Sequence, residues 1–356
     1  MTDEHPSRSA ADEAWARAAG AGIHRLAVPT PFLVGRVNCY LIEDEPLTLV
    51  DTGPNSGKSL DELAQALERH GHSIQDLELI VITHQHMDHL GLLEILARRS
   101  GAEVAALHLL APYLEHFNER ATDDDAFAEA MMRRHGVPDD LISVLSSVGA
   151  AFRAYGSSGH VTCELFDGDT LMFRDRTLRV MHRPGHSPSD TLFWDEGRRI
   201  LIAGDHLLDH VSSNPLISRP LVDGGGSAPR RRALIEYIES MRMTRGLPAE
   251  LVVTGHGNPI VDHVSLIDER LRMHNRRARK MHGLLAGGPR TAFEIASAMW
   301  GNIAVTQAFL TLSEVVGHMD LLAADGKVRE LEQADVVRFE ATSGNPTARG
   351  GLTEGH

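Results

Sequence analysis

Three imidazoles and a carboxylate crowd into six positions at His84-Gln85-His86-Met87-Asp88-His89, and no other stretch constrains the chain so tightly. The apolar run Leu79-Ile80-Val81-Ile82 leads into it, and Leu90 to Leu96 follow with helical spacing until Gly101. This pattern predicts a buried parallel strand, a ligand loop and a helix. The cluster then sits at the carboxyl end of a strand, where open α/β sheets place their ligands. Neutral imidazole and carboxylate suit Zn, Fe(II) or Mn, and four such groups packed this densely stay badly desolvated without a cation. His84 and His86 leave an extended turn on the same side, while Asp88 and His89 swing to the other as the helix starts. One loop can therefore feed two neighbouring metals.

If metals are bound here, further ligands must come from downstream, and the sequence offers them at comparable places. Pro184-Gly185-His186-Ser187 follows the strand-like Thr177-Leu178-Arg179-Val180-Met181. Gly204-Asp205-His206 follows Ile200-Leu201-Ile202-Ala203, and Thr254-Gly255-His256-Gly257 follows Leu251-Val252-Val253. The H-x-H-x-D-H hexad with these three motifs resembles the metallo-β-lactamase superfamily of hydrolases over about residues 22–265. The resemblance implies an αββα sandwich, with His84, His86 and His186 on one divalent metal, Asp88, His89 and His256 on the other, and Asp205 bridging. Leu47-Thr48-Leu49-Val50-Asp51-Thr52-Gly53 resembles the family's strand-Asp-x-Gly turn, in which Asp51 supports the ligand loop from behind.

The expected order is a flexible tail or short helix over 1–20, a catalytic domain over 21–265, a second unit over 266–340 and a disordered tail over 341–356. Within the catalytic domain, residues 26–34 and 37–42 read as strands and 56–70 as a helix ended by Gly71. A helical insert spans about 112–155, with periodic Phe127, Met131 and Met132, then Leu141, Val144, Leu145 and Val148, broken at Gly136-Val137-Pro138. Periodic apolar residues of this kind are usually core. At the ligand end of a sheet, however, such an insert can also be a lid, with Met131, Met132, Phe152 and Tyr155 as its apolar wall. Strands return after 162 through a hairpin at Asp167-Gly168-Asp169. The loop after Asp205 makes His206, His210, Ser213 and Asn214 candidate substrate contacts, with His206 and Asn214 the leading pair. Asp223-Gly224-Gly225-Gly226-Ser227 reads as a flexible loop and 230–243 as a helix.

Residues 266–281 read as a connecting helix whose later part, Arg270 to Lys280, carries six bases and no acid. Helices over 291–299 and 307–324 and a hairpin near Lys327 to Phe339 follow. Helix, helix and wing is a winged-helix-like pattern, and its place after such a body resembles the branch that contains the mitochondrial lactamase-like endoribonuclease. The would-be recognition helix bears Glu314, Asp320 and Asp325 and no base before Lys327, and the net charge is −14. Both oppose phosphate contacts, so packing or homodimerisation is the expected role. Two cysteines form no framework, so a reducing, cytoplasmic setting is expected. No membrane-spanning run of apolar residues occurs.

The resemblance implies water made nucleophilic by two divalent cations, with zinc the first expectation and Fe or Mn the alternatives. Asp88 would orient or carry its proton, and the bond cleaved would be an activated acyl bond of a small or coenzyme-linked substrate: a thioester, lactone or other ester. Antibiotic-cleaving lactamases of the common type have Cys where Asp205 stands. Quorum-signal lactonases carry Tyr three residues after the bridging Asp, where this chain has Leu208. Glyoxalase II has a similar ligand set, but its Tyr-containing glutathione-holding helices find no match in the tail. An endoribonuclease or phosphodiesterase is the alternative reading.

Overall fold

The computed structural model describes residues 8–221 and 230–342. The first half of the chain forms α1 (Arg8–Gly20), β1 (Ile23–Val28), β2 (Val37–Ile42), β3 (Thr48–Val50), α2 (Gly57–Arg69), β4 (Leu79–Ile82), α3 (Met87–Leu90), α4 (Leu93–Ser100) and β5 (Glu103–Leu107). Three helices follow, α5 (Ala111–Glu115), α6 (Phe117–Arg134) and α7 (Asp139–Phe152), before β6 (Cys163–Leu165) completes a six-stranded sheet in the order β1-β2-β3-β4-β5-β6. Pairing is antiparallel from β1 to β3 and parallel from β3 to β6. The second sheet holds β7 (Thr170–Met172), β8 (Thr177–His182), β9 (Thr191–Asp195), β10 (Ile200–Ile202) and, after α8 (Ala233–Arg245), β11 (Leu251–Val253), in the order β11-β10-β9-β8-β7.

Strand β4 shows why the sheets stack. Alternate residues of a strand face opposite ways, and all four of its side chains are buried. Ile80 and Ile82 pack with Leu63 and Leu67 of α2 and Leu93 and Leu96 of α4. Leu79 and Val81 pack instead with Val180, Phe193, Ile202 and Val253 of the second sheet. The outer face of that sheet, with Met181, Leu192, Leu201 and Val252, is covered by Leu234, Tyr237 and Met241 of α8. The result is the expected αββα layering.

The chain ends in α9 (His263–Leu284), α10 (Ala292–Trp300), α11 (Ile303–Thr306), α12 (Ala308–Ala324) and the hairpin β12 (Val328–Gln333) and β13 (Val336–Ala341). The helices and small sheet expected at 266–340 are present, but they do not stand apart. Met131, Met132, Val137 and Ile142 of the insert share one core with Met281, Ile295, Leu312, Val316, Met319 and Phe339. Insert and C-terminal segment together make a helical roof. Helix α12 is buried along most of its length, and its acids point inward: Glu314 pairs with Arg277 at 2.5 Å and Asp320 with Arg230 at 2.7 Å. The acidic recognition face inferred from sequence is therefore absent, because those charges are used inside the roof.

Other expectations need correction. Residues 8–20 are a helix, not a flexible tail, because Ala14 and Ala18 seat against the sheets and Trp15 meets Tyr40 at 6.3 Å. The turn at Asp167-Gly168-Asp169 is no hairpin: β6 and β7 belong to different sheets, so the turn crosses between layers. Strand β1 ends at Val28, short of the predicted 34. Of the periodic residues on α7, Leu141 and Leu145 pack on the roof core while Val144 and Val148 face outward. The glycine loop at 223–227 and the tail from 343 onward lie outside the described residues.

Candidate metal centre

Each sequence-predicted ligand leaves the end of a short apolar strand, and the paired sheets bring those ends together. His84, His86, Asp88 and His89 follow β4, His186 follows β8, Asp205 follows β10 and His256 follows β11. His86 Nδ1 lies 3.0 Å from His84 Nε2 and 2.9 Å from His186 Nε2. His256 Nε2 lies 3.2 Å from Asp88 Oδ2. Asp205 stands between the groups, with Oδ2 at 3.7 Å from His186 Nε2 and 3.5 Å from His256 Nε2, and Oδ1 at 3.5 Å from His89 Nε2. Ligand atoms at about 2.0–2.1 Å from a tetrahedral cation stand roughly 3.3 Å apart, close to these spacings. His84–His86–His186, His84–His89–Asp205 and Asp88–His89–His256 each form a group able to hold an ion.

The opposite ring nitrogens are already committed, which fixes the tautomers. His89 Nδ1 donates to Asp51 Oδ2 at 2.7 Å, His186 Nδ1 to the Asn214 carbonyl at 3.1 Å and His256 Nδ1 to the Arg36 carbonyl at 2.9 Å. The Thr83 hydroxyl gives its proton to Asp51 at 2.8 Å, so it must accept from His84 Nδ1 at 2.9 Å. His84, His89, His186 and His256 therefore present bare Nε2 lone pairs inward, the arrangement that orients histidine ligands. His86 alone presents Nδ1. Asp51 also accepts from Thr83 N–H at 2.9 Å. Its φ of 59° is one few non-glycine residues adopt, and the turn it makes swings the carboxylate under both Thr83 and His89.

Without a cation these groups are poorly satisfied. His89 Nε2, Asp205 Oδ1 and His256 Nε2 are buried with no hydrogen-bond partner among the described residues, a costly condition for polar atoms. Burial, with His186 next, pushes His86 down to about 3, and burial and the neighbouring imidazoles hold His84 well below its ordinary value. Burial works against the charge on Asp205 as well, yet His256, His89 and His186 outweigh it and keep the carboxylate ionised. For His89 and His256 burial is likewise overcome by the surrounding carboxylates, Asp205 foremost, which favour positive charge at these rings, a charge that a cation at Nε2 would supply in the proton's place. Bare imidazole nitrogens and ionised carboxylates aimed at common points are the donor set a divalent metal takes. Close approach completes the cradle: a Cβ at Gly255 would lie 2.1 Å from Asp205 Oδ1 and 2.9 Å from His89 Cε1, so only glycine fits there.

The substrate-contact candidates fare differently. His206 is fully buried, with Nε2 at 2.9 Å from Thr244 Oγ1 beneath α8, and lies outside the cleft. Asn214 acts through its backbone carbonyl on His186, while its amide donates to the Leu310 carbonyl at 2.9 Å. Ser213 Oγ donates to the Asp205 carbonyl, and His210 pairs with Asp209 at 2.8 Å. All four hold the loop. Sequence reasoning missed Thr83 and Asn38. Asn38 N–H donates to the Gly255 carbonyl at 2.7 Å and its amide to the Thr254 carbonyl at 2.9 Å, which docks the His256 loop on β2. An Asn inside the otherwise apolar Val37–Ile42 strand was the available signal.

Residues 33–256 match the model of the metallo-β-lactamase superfamily. A probable metallo-hydrolase of Bacillus subtilis, YqjP, is 29% identical over 88% of this chain and 96% of its own length. The human acyl-coenzyme A thioesterase MBLAC2 is 31% identical over 63% of this chain and 74% of its own. Among solved structures, a metallo-β-lactamase family protein of Thermus thermophilus superposes with a TM-score of 0.72 at 25% identity, covering 90% of this chain and 99% of that one. A family match across most of the sandwich, on a chain whose seven candidate ligand side chains converge, leads to one conclusion: this chain belongs to the metallo-β-lactamase superfamily and is a metallo-hydrolase.

Proposed function

We propose that this metallo-hydrolase cleaves activated acyl bonds, thioesters first, at a pair of divalent cations, with zinc the leading choice and Fe or Mn the alternatives. The observation that carries the reading is Asp205 standing within 3.7 Å of both histidine groups, which makes one carboxylate common to two sites. His84, His86 and His186 would hold one cation, Asp88, His89 and His256 the other. Bound there, divalent cations lower the pKa of water toward neutrality and polarise a carbonyl oxygen. Asp88, beside His256, takes the proton of the attacking water and hands it to the leaving thiolate. Asp51 and Thr83 keep His89 and His84 in the ligating tautomer, and the Asn214 and Arg36 carbonyls do so for His186 and His256.

Support for a thioester comes from relatives, since MBLAC2 and a fungal atrochrysone carboxyl ACP thioesterase (27% identical over 50% of this chain) both carry that activity in their names. Against nucleic acid stand the net charge of −14 and the use of two of the six α9 bases inside the fold: Arg277 is held by Glu314 and Arg270 by the Asp209 carbonyl. The test is metal-loaded protein offered butyryl thioester, a lactone and a short RNA, with thiol release, acid release and strand cleavage as readouts. Thioester turnover abolished by chelation and by His186→Ala is the expected result. Cleavage of RNA alone overturns the reading.

A further inference from the structure

Helix α7 carries no charged residue from Leu141 to Phe152, although a quarter of the chain is charged. Its inward face packs on the roof, but Val144 and Val148 are 61% and 46% exposed, and Phe152 continues their line at the same i, i+4 spacing. The line does not end on open surface. Phe152 meets Phe32 at 5.3 Å between ring centroids and Tyr155 at 6.2 Å, while Phe32 and Tyr155 stand 6.3 Å apart. Beside them Leu33 is 91% exposed.

This aromatic trio is anchored to the metal centre from two sides. The Tyr155 carbonyl accepts from Asn55 N–H at 2.7 Å and presses on Gly91, where a Cβ would lie 2.2 Å from it, directly after the helix that carries Asp88 and His89. The loop that bears Phe32 ends at Arg36, whose carbonyl receives His256 Nδ1. An apolar track is therefore tied through its backbone to the loops that bear Asp88, His89 and His256, and it extends for about 12 Å along α7, at 1.5 Å per residue. A contiguous exposed apolar surface needs an occupant. Its tie to the loops of the catalytic centre names one.

Building on the thioesterase reading, we propose that Phe32, Phe152, Val148 and Val144 form the acyl-chain subsite, which selects thioesters of medium to long linear chains. The thioester carbonyl sits at the metals and the alkyl chain lies over the trio and along α7, shielded on one side. One-sided shielding recovers about half the transfer free energy of each methylene, or about a twofold gain in affinity per added carbon.

The probes are S-butyl, S-octyl and S-dodecyl thioethers of N-acetylcysteamine, which have no carbonyl to attack, titrated calorimetrically into the metal-loaded full chain. Affinity should rise about twofold per methylene, and Val144→Ser/Val148→Ser should flatten that dependence. Both positions are exposed, so the variant folds; Phe152→Leu gives a second, milder variant with a reduced slope. An affinity independent of chain length, or an undiminished slope in both variants, overturns the proposal. So does a wild-type dimer that the double variant splits with the slope unaltered, since the face would then be an interface. Binding is read apart from turnover: a chain-length slope without hydrolysis of any thioester sinks the activity and leaves the subsite standing, and hydrolysis without a slope does the reverse.

Discussion

The ligand cradle and the helical roof both bury many polar side chains, but they balance that burial in opposite ways. In the roof, buried acids have counter-charges from other elements: Asp320 takes both guanidinium nitrogens of Arg230 at 2.7 and 2.8 Å, and Glu314 takes Arg277. In the cradle, imidazoles face imidazoles, and three buried atoms have no partner among the described residues. The outer nitrogens of the same rings are tied down, so the deficit is confined to one spot. The roof's own orphans, among them His135 Nδ1, Ser146 Oγ and His274 Nε2, are scattered over separate elements, whereas those of the cradle gather where a cation would sit.

The largest effect that sharpens this contrast comes from the shared ligand. Asp205→Asn should lower turnover on the order of 10³-fold, the scale of a lost charge-stabilising group, and should reduce bound metal measured by elemental analysis, with little change in stability of the metal-free protein. In the roof, Arg230→Ala should do the converse. Removing one partner of a buried pair costs about 3–5 kcal/mol, read by urea unfolding, while metal content stays at the wild-type level. Equal loss of metal in both variants would break the contrast.

Smaller effects follow. Asp51→Asn should weaken metal affinity about 10- to 100-fold, the usual cost of losing a group that orients a histidine ligand, without removing a ligand. The smallest concerns pH. His135, buried against Phe339 in the roof, is pushed down to about 3 by burial, with Arg230 and Arg134 adding to it. Its ordinary value is 6.5. Between those values the unfolded chain binds a proton the folded chain does not, so stability is complete above pH 6.5 and falls as pH drops, by about 1.4 kcal/mol per unit. His135→Phe should remove one proton's worth of that slope between about pH 6.5 and 5, measured by unfolding at each pH.

The cradle was legible in the sequence because its logic is local. Each candidate ligand follows a short apolar strand, and the resemblance to the superfamily says which of those strand ends meet. The roof was not, because its pairings join residues far apart. Glu314 and Asp320 read as a solvated acidic face until Arg277 and Arg230 are seen folded against them, and Val144 reads as core until Leu145 is seen to take that place. His206 and Asn214 stood as substrate-contact candidates for a related reason. Adjacency to Asp205 brings a residue near the metals, but one side chain turns under α8 to Thr244 and the other up to α12. Asn38 and Thr83 act mainly on backbone groups and on a carboxylate, contacts that spacing does not reveal.

The loop beyond Asp205 has bonds at both ends. Ser213 and Asn214 grip Asp205 and His186 below, while Asn214 and Ile217 are fastened to Leu310 and Ser313 of α12 above. Such a tether makes cation loading and seating of the C-terminal helices reciprocal: whatever tightens one must tighten the other by the same free energy. A chelator would then loosen α12 at its Leu310–Ser313 end, and a substitution that unseats that end would weaken metal binding, whereas one at the Arg230–Asp320 pair further along the helix would not.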